Sequence, residues 1–475
     1  YDIVSRDWSS DVCSSDLHPS WRGSIMKQLL VLGAGTAGTV AVNKLRRRLP
    51  ADEWTITIVD SKPQHHYQPG YLFIPFGTYG ADEVTKPKAQ LITDGVDLIF
   101  GEADIVKPEQ SIVVLADGTE LSYDQLIIAT GTHPRRDQTE GLDSRHYGET
   151  IHDFYTLEGA TRLAQVLDGW KGGRLVINIV EMPIKCPVAA LEFMFLADAF
   201  FAERGIRDRV ELTYVTPLDG AFTKPVAAEC LGDMLERRQI TLETDFMTME
   251  VDGDQKMLVS YDEREIPYDL LVTVPVNMGA DFVDRSGLGD ELNHVEVDRH
   301  TFLSDDHDNI FALGDAANLP TSKAGSVAHF AVDVFVDNFL QHIKGQPMTG
   351  MFDGHANCFI EAGNGKGMLI DFNYDVEPLP GKYPLPGIGP FSLLKETAAN
   401  HWGKLGFKWT YWNVLLPGRY FPFGPDMSMM GKRMPEAKSP RPLQTSRSID
   451  WMQSATDSEP DQQLDHPHAI KGATK

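Results

Sequence analysis

No part of this sequence stays apolar for the ~18 residues that a membrane-crossing helix needs, so no spanning helix is expected. Positive charge is in deficit: the formal net charge is −25, which argues against nucleic acid as a partner. Cysteine is scarce, with 4 in 475 residues, at positions 13, 186, 230 and 358. That excludes a disulfide-stapled scaffold. No short-period repeat is present, which excludes a repeat array. The only adjacent histidines, His65 and His66, are poorly spaced for one ion, and no metal site is expected. One shortage is local: no glycine stands between Gly173 and Gly205. What remains is globular, 42% hydrophobic and 23% charged, and long enough for two or three domains.

The first 25 residues do not look like part of that fold. They have neither a signal-peptide apolar core nor a helical period, and Met26 stands directly before the first apolar run. RDWSSDVCSSDL resembles translated sequencing adapter, so residues 1–25 are read as a probable non-native leader and Cys13 is set aside with them. With that stretch removed no export signal remains, and the expected location is the cytoplasmic side.

The organising stretch is 27–60, KQLLVLGAGTAGTVAVNKLRRRLPADEWTITIVD. It predicts strand, glycine turn, helix, strand. Gly33 permits the tight bend, Gly35 lets backbone approach a pyrophosphate, and Gly38 lets the helix pack on the strand. The helix N-terminus offers free N–H groups to phosphate. Asp60 ends the second strand, where it can accept a ribose hydroxyl. A second strand ends in Ala129–Thr130–Gly131 after DGTELSYDQ, which resembles the second fingerprint of the flavin disulfide-reductase superfamily. The third fingerprint is NIFALGDAANLPTSKAGSVAHF. There Gly314–Asp315 closes a strand, Asp315 is placed to hold a ribityl hydroxyl, and a helix is expected from about Gly325. Lys323 precedes that helix and is expected to offset charge on a reduced flavin. Three fingerprints in order predict FAD.

The strand at 173–180 calls for a second nucleotide turn, but EMPIKCPVAALEF follows it. Without glycine, side chains fill the space where backbone would meet a pyrophosphate, so a nicotinamide nucleotide is not expected there. Pro187 suits the first position of a helix, which puts Cys186 at the N-cap beside Lys185. Both features favour thiolate, and Cys186 is expected to be reactive. Cys358 opens the first of two expected strands, 358–362 and 368–374, joined by the turn GNGKG, and a redox-active pair with Cys186 is favoured over a static disulfide. Cys230 sits in an amphipathic helix and reads as packing. Residues 378–390 read as a stiff proline–glycine linker. Trp402, Trp409, Trp412, Phe407, Tyr411, Tyr420, Phe421 and Phe423 follow, interleaved with Lys395, Lys404, Lys408 and Arg419, a pattern suited to lipid headgroups. From residue 434 onward the chain is polar and aperiodic and reads as a disordered tail.

Together LGAGTAG, ATGTHP, PIKCP, LGDAANLPTSKAGS, CFIEAGNGKG and NHWGKLGFKWTYWN resemble the sulfide:quinone oxidoreductases, relatives of type II NADH dehydrogenases and of the flavoprotein subunit of flavocytochrome c sulfide dehydrogenase. The resemblance covers roughly residues 26–433. It implies an α/β fold with two Rossmann-like domains and a C-terminal α+β region carrying amphipathic helices. The expected divisions are 26–150, completed by 296–345, for the FAD domain; 151–295 for the second; 346–433 for quinone and membrane contact; and 434–475 for the tail. It implies FAD, sulfide and a quinone as ligands, Cys186 and Cys358 as the sulfur-carrying pair, and Phe359 with Phe391 at the quinone. Glu192 and His133 are candidates for proton transfer. Many members carry a cysteine just after the A-T-G turn. Thr132–His133–Pro134 has none, which excludes covalent flavin attachment there. The expected setting is the cytoplasmic face of an inner membrane, as a peripheral protein, with a second copy of the chain among the candidate partners. The rival readings are an NADH:quinone oxidoreductase, a flavoprotein subunit donating to cytochrome c, and a non-enzymatic flavin sensor.

Overall fold

The computed structural model describes residues 26–420 and 424–434. The leader, Cys13, Phe421, Phe423 and the 435–475 part of the tail lie outside the described residues.

Leu29–Leu32 are apolar without alternation, the pattern of a strand covered on both faces. They lie in β1 (Lys27–Leu32), which leads through the glycine turn into α1 (Thr36–Leu45) and then β2 (Trp54–Asp60). With β3 (Asp97–Phe100), β4 (Gln125–Ile128) and the later strand Ile310–Ala312 they form a parallel sheet. Its order is Ile310–Ala312, β4, β1, β2, β3. A second parallel sheet is built from β5 (Ile151–His152), β6 (Gly173–Ile179), β7 (Val210–Val215), β8 (Thr241–Glu243) and β9 (Leu270–Val274). Its order is β5, β9, β6, β7, β8. In each sheet the first strand of the βαβ unit lies between the second and fourth, the switch point where such sheets bind ligands. Each half also inserts a three-stranded antiparallel meander before its fourth strand: residues 103–122 and 248–267. The architecture is the expected α/β pair of Rossmann-like regions. Ile112–Leu115 and Glu120–Ser122 form a hairpin, turned where Gly118 adopts φ +85°.

Ile310–Ala312 (β10) runs through the Gly314–Ala316 turn towards a long helix. In the second half the helix after β6 is α2 (Ala189–Glu203), and the long helix after β10 is α3 (Gly325–His342), which starts at the expected glycine. The C-terminal sheet has the order β11 (Ala356–Glu361), β12 (Gly367–Phe372), β14 (Phe391–Leu393), β13 (Gly381–Tyr383). The linker expected at 378–390 is therefore not one. Its middle is β13, paired antiparallel with β14, and the Lys382 N–H donates to the Gly431 carbonyl at 3.0 Å. Helix α4 (Ala398–Thr410) lies against β11 and β12 and widens into a π-helical turn at Tyr411–Leu415.

Candidate active site

Gly33 and Gly38 are there for packing. A Cβ on Gly33 would meet the Ala129 carbonyl oxygen at 2.4 Å, and one on Gly38 the Gly33 carbonyl oxygen at 1.9 Å. Gly35 is different: nothing lies within 4 Å of its missing side chain. It faces a cavity of about 230 Å³ and, on the adenosine side, an adjoining one of about 550 Å³. The two share Gly35, Thr36, Thr130, His133 and Lys185. Together they run from Asp60 past Gly131, Gly314 and Asp315 to Cys186 and Lys404. The buried hydroxyls of Thr130 and Thr132 have no partner, and Gly131 adopts φ +69° with open space beside it. An elongated cleft with a bare glycine backbone and unpartnered donors fits a dinucleotide.

Asp60 is more occupied than its sequence position implied. It accepts the Ala34 N–H at 2.7 Å and the Lys62 N–H at 2.9 Å, and it pairs with Lys88. It braces the glycine turn as well as ending the strand. Lys323 is buried and donates to the carbonyls of Asp315 at 2.9 Å and Ala317 at 3.1 Å, which leaves one proton for a ligand. Burial pushes the Asp315 carboxyl above its ordinary range, opposed by Lys323 and Lys185.

The turn after β6 corrects one expectation. Cys186 is not an N-cap: α2 begins at Ala189 with Val188 as its cap. The Cys186 N–H donates to the Lys323 carbonyl at 2.7 Å, and the residue adopts φ +47°. The Tyr155 hydroxyl donates to the Lys185 carbonyl at 2.8 Å. These tertiary bonds pull the turn towards the first half and override the local proline signal. The thiol is not acidified either. Burial, then Glu192, push Cys186 well above the ordinary thiol range, against Lys404. Burial likewise pushes Cys358 up to about 12, although Lys404 and a hydrogen bond with Ser326 act the other way. Lys185 turns its ammonium from the thiol to Gln68 Oε1 at 3.1 Å and the Thr132 carbonyl at 3.2 Å. His133 lines both cavities, and desolvation followed by Lys185 lowers its pKa.

Cys186 lines the cleft, and Cys358 stands near enough to contribute to its electrostatics. Both thiols are free. Cys358 is on β11, where successive side chains alternate. Its own face meets Ser326 of α3. Phe359 points the other way, with its ring 5.1 Å from that of Phe391 at 78°. Gly403 of α4 floors that pair: a Cβ there would meet Phe391 at 2.6 Å and Phe359 at 2.7 Å.

Glu192 is fully buried and accepts from Lys404 Nζ at 2.7 Å and from the Glu361 N–H at 2.6 Å. Lys404 had been read only as a headgroup contact. The signal for its inward position was periodicity: Asn400, Lys404 and Tyr411 share one helical stripe, and all three make internal hydrogen bonds. Lys408 is also turned inward, to Glu83 at 3.1 Å and over the Tyr79 ring. Trp412 and Tyr411 are buried, whereas Trp402 and Trp409 are 68% and 66% exposed.

Residues 27–177 match the family described as pyridine nucleotide-disulphide oxidoreductase. The mitochondrial sulfide:quinone oxidoreductase of Dictyostelium discoideum is 26% identical over 402 residues, 83% of this chain and 87% of that protein. The chain is a relative of the sulfide:quinone oxidoreductases. The mitochondrial one of Mus musculus is also 26% identical, over 82% of this chain and 86% of its own length. The X-ray structure of the sulfide:quinone oxidoreductase from Aquifex aeolicus superposes with a TM-score of 0.68 at 22% identity, covering 82% of this chain and 92% of that one. Kinship with these proteins implies a flavin cofactor. No helix among the described residues is long and apolar enough to cross a membrane.

Proposed function

We propose that the chain is a sulfide:quinone oxidoreductase with FAD in the cleft, Cys186 and Cys358 as its sulfur carriers, and the Phe359–Phe391 slot as its quinone site. The observation that carries this is the alternation on β11, which sets a cysteine and a phenylalanine side by side in sequence on opposite faces of one strand. Gly33, Gly35, Gly38, Thr130, Gly131, Gly314, Asp315 and Lys323 would hold FAD, with Asp60 at the ribose end. The bound flavin supplies a two-electron acceptor for sulfur and a two-electron donor for quinone.

The protein's part follows from its side chains. Both thiols are neutral at physiological pH because of their burial, so neither is a ready nucleophile. Hydrosulfide is the attacking group: it opens the sulfur bridge between the cysteines, leaving persulfide on one and thiolate on the other. Restoring the bridge with the added sulfur releases one proton and two electrons, HS⁻ + Cys–S–S–Cys giving Cys–S–S–S–Cys. Glu192, in the cleft, is placed to accept that proton. Longer sulfur chains then leave by further exchange. The filled turn after β6 supports the absence of a nicotinamide site, and the exposed Trp402 and Trp409 support docking on a membrane surface.

The test is anaerobic titration of the FAD-loaded protein. Sulfide is expected to bleach the flavin and NADH is not; the reverse result overturns the proposal. Cys186→Ser and Cys358→Ser are each expected to keep FAD and lose sulfide bleaching by at least about a hundredfold.

A further inference from the structure

Sulfur chemistry releases a proton on one face of β11, while quinone reduction consumes two on the other: quinone plus two electrons plus two protons gives quinol. The second face therefore needs its own supply. Glu361 is two residues beyond Phe359 and shares its face. Its side chain is only 1% exposed, and its Oε2 has no partner. Its Oε1 is 2.5 Å from His401 Nδ1. His401 is in the first turn of α4, two residues before the glycine that floors the phenylalanine pair, and its side chain is 20% exposed.

We propose that His401 and Glu361 are the proton inlet of the quinone side, His401 taking protons from water and Glu361 presenting them at the Phe359–Phe391 slot. A carboxyl with one oxygen bonded and the other free is equipped to carry a proton on that free oxygen. Burial pushes Glu361 above the ordinary carboxylate range, so it takes up a proton more readily than a surface acid. The charged and titratable groups around it are His401 and Lys404 on α4, Glu192 on α2, and Tyr79 from the loop after β2. Lys404 donates to Glu192 at 2.7 Å and to the Phe359 carbonyl at 2.8 Å, so the α4 cation is committed to the sulfur-side carboxyl, while Glu361 has His401 as its side-chain partner.

This rests on the quinone reading of the slot, so the test bypasses sulfide. The FAD-loaded protein is reduced anaerobically with dithionite and mixed with a soluble quinone analogue, and flavin reoxidation is followed in H₂O and D₂O. In His401→Ala, reoxidation is expected to fall about a hundredfold, with a larger solvent isotope effect, and free imidazole is expected to restore it. Sulfide bleaching of the same variant is expected to stay within about twofold of the unsubstituted protein. Glu361→Gln is expected to slow reoxidation without imidazole rescue. Unchanged reoxidation in His401→Ala, or a loss that imidazole does not restore, overturns the inlet. If sulfide fails to bleach the unsubstituted protein while His401→Ala behaves as expected, the donor assignment falls and the inlet stands. If quinone does not reoxidise the unsubstituted protein, the quinone reading of the slot and the inlet fall together.

Discussion

A hydrogen atom in place of a methyl group lets α4 seat against the touching rings of Phe359 and Phe391. Gly403→Ala would put carbon 2.6–2.7 Å from both rings, inside any real contact. The expected outcome is a KM for a quinone analogue raised about tenfold or more, with sulfide bleaching unaffected. Opposite the next residue of α4, Lys404, Glu192 of α2 shows how a buried charge is tolerated. It has Lys404 and one backbone N–H as partners. Lys404→Met would leave the carboxylate uncompensated and is expected to cost about 3–5 kcal/mol in urea unfolding. Adding Glu192→Leu to that variant is expected to return most of the loss, since no charge is then left without its partner.

Among the elements, the π-helical turn after α4 is tied to the first βαβ unit by a chain of three side chains. His65 Nε2 is 2.7 Å from the Tyr411 hydroxyl, which is 2.7 Å from Thr36 Oγ1 at the start of α1. Burial pushes His65 down to about 4; its bond to the Ala34 carbonyl opposes this, and Lys88 adds to it. The folded protein thus holds the imidazole neutral, whereas the unfolded chain protonates it near pH 6.5. Stability from this site is full above that pH and is lost as pH falls towards 4. At pH 5 the loss is about 2 kcal/mol. His65→Gln is expected to flatten the pH 7 to 5 slope of unfolding free energy by that amount. The last described segment is pinned differently, by Lys432 and His355 converging on Asp371 of β12. There burial raises the carboxyl, but its bonds to His355 and Lys432 outweigh it and hold it below its ordinary range.

For the molecule as a whole, the charge balance and the orientation of α4 bear on the proposed membrane docking. Lys404 and Lys408 are spent on Glu192 and Glu83, so the segment is less basic outwardly than its composition implies. With a net charge of −25, attraction to anionic lipid is weak. Binding to quinone-containing vesicles is expected to depend on Trp402 and Trp409 and to vary little with salt. Replacing both by serine is expected to weaken sedimentation with vesicles about tenfold, roughly 1.4 kcal/mol. The parts of the fold that were legible are those whose cause is local. Glycine sterics announced the turn at Gly33–Gly38, and apolar runs announced β1 and β6, the central strand of each parallel sheet. The start of α3 at Gly325 was legible for the same reason. What was not legible depends on distant partners. Pro187 and Cys186 carry a strong helix-start pattern, but a bond to Lys323 sets a different geometry. The proline–glycine stretch at 378–390 becomes a strand because β14 and Gly431 receive it. The buried group of Glu192, Lys404, Glu361 and His401 comes from three separate elements, and no single window of sequence contains it.

The two faces of β11 have one further consequence. Persulfides are soft nucleophiles and quinones are soft electrophiles, and the two alkylate one another when they meet. On the proposed chemistry, a single layer of peptide thin enough for electrons to cross by way of a bound carrier stands as a wall between incompatible reagents, and the enzyme is spared from consuming its own oxidant.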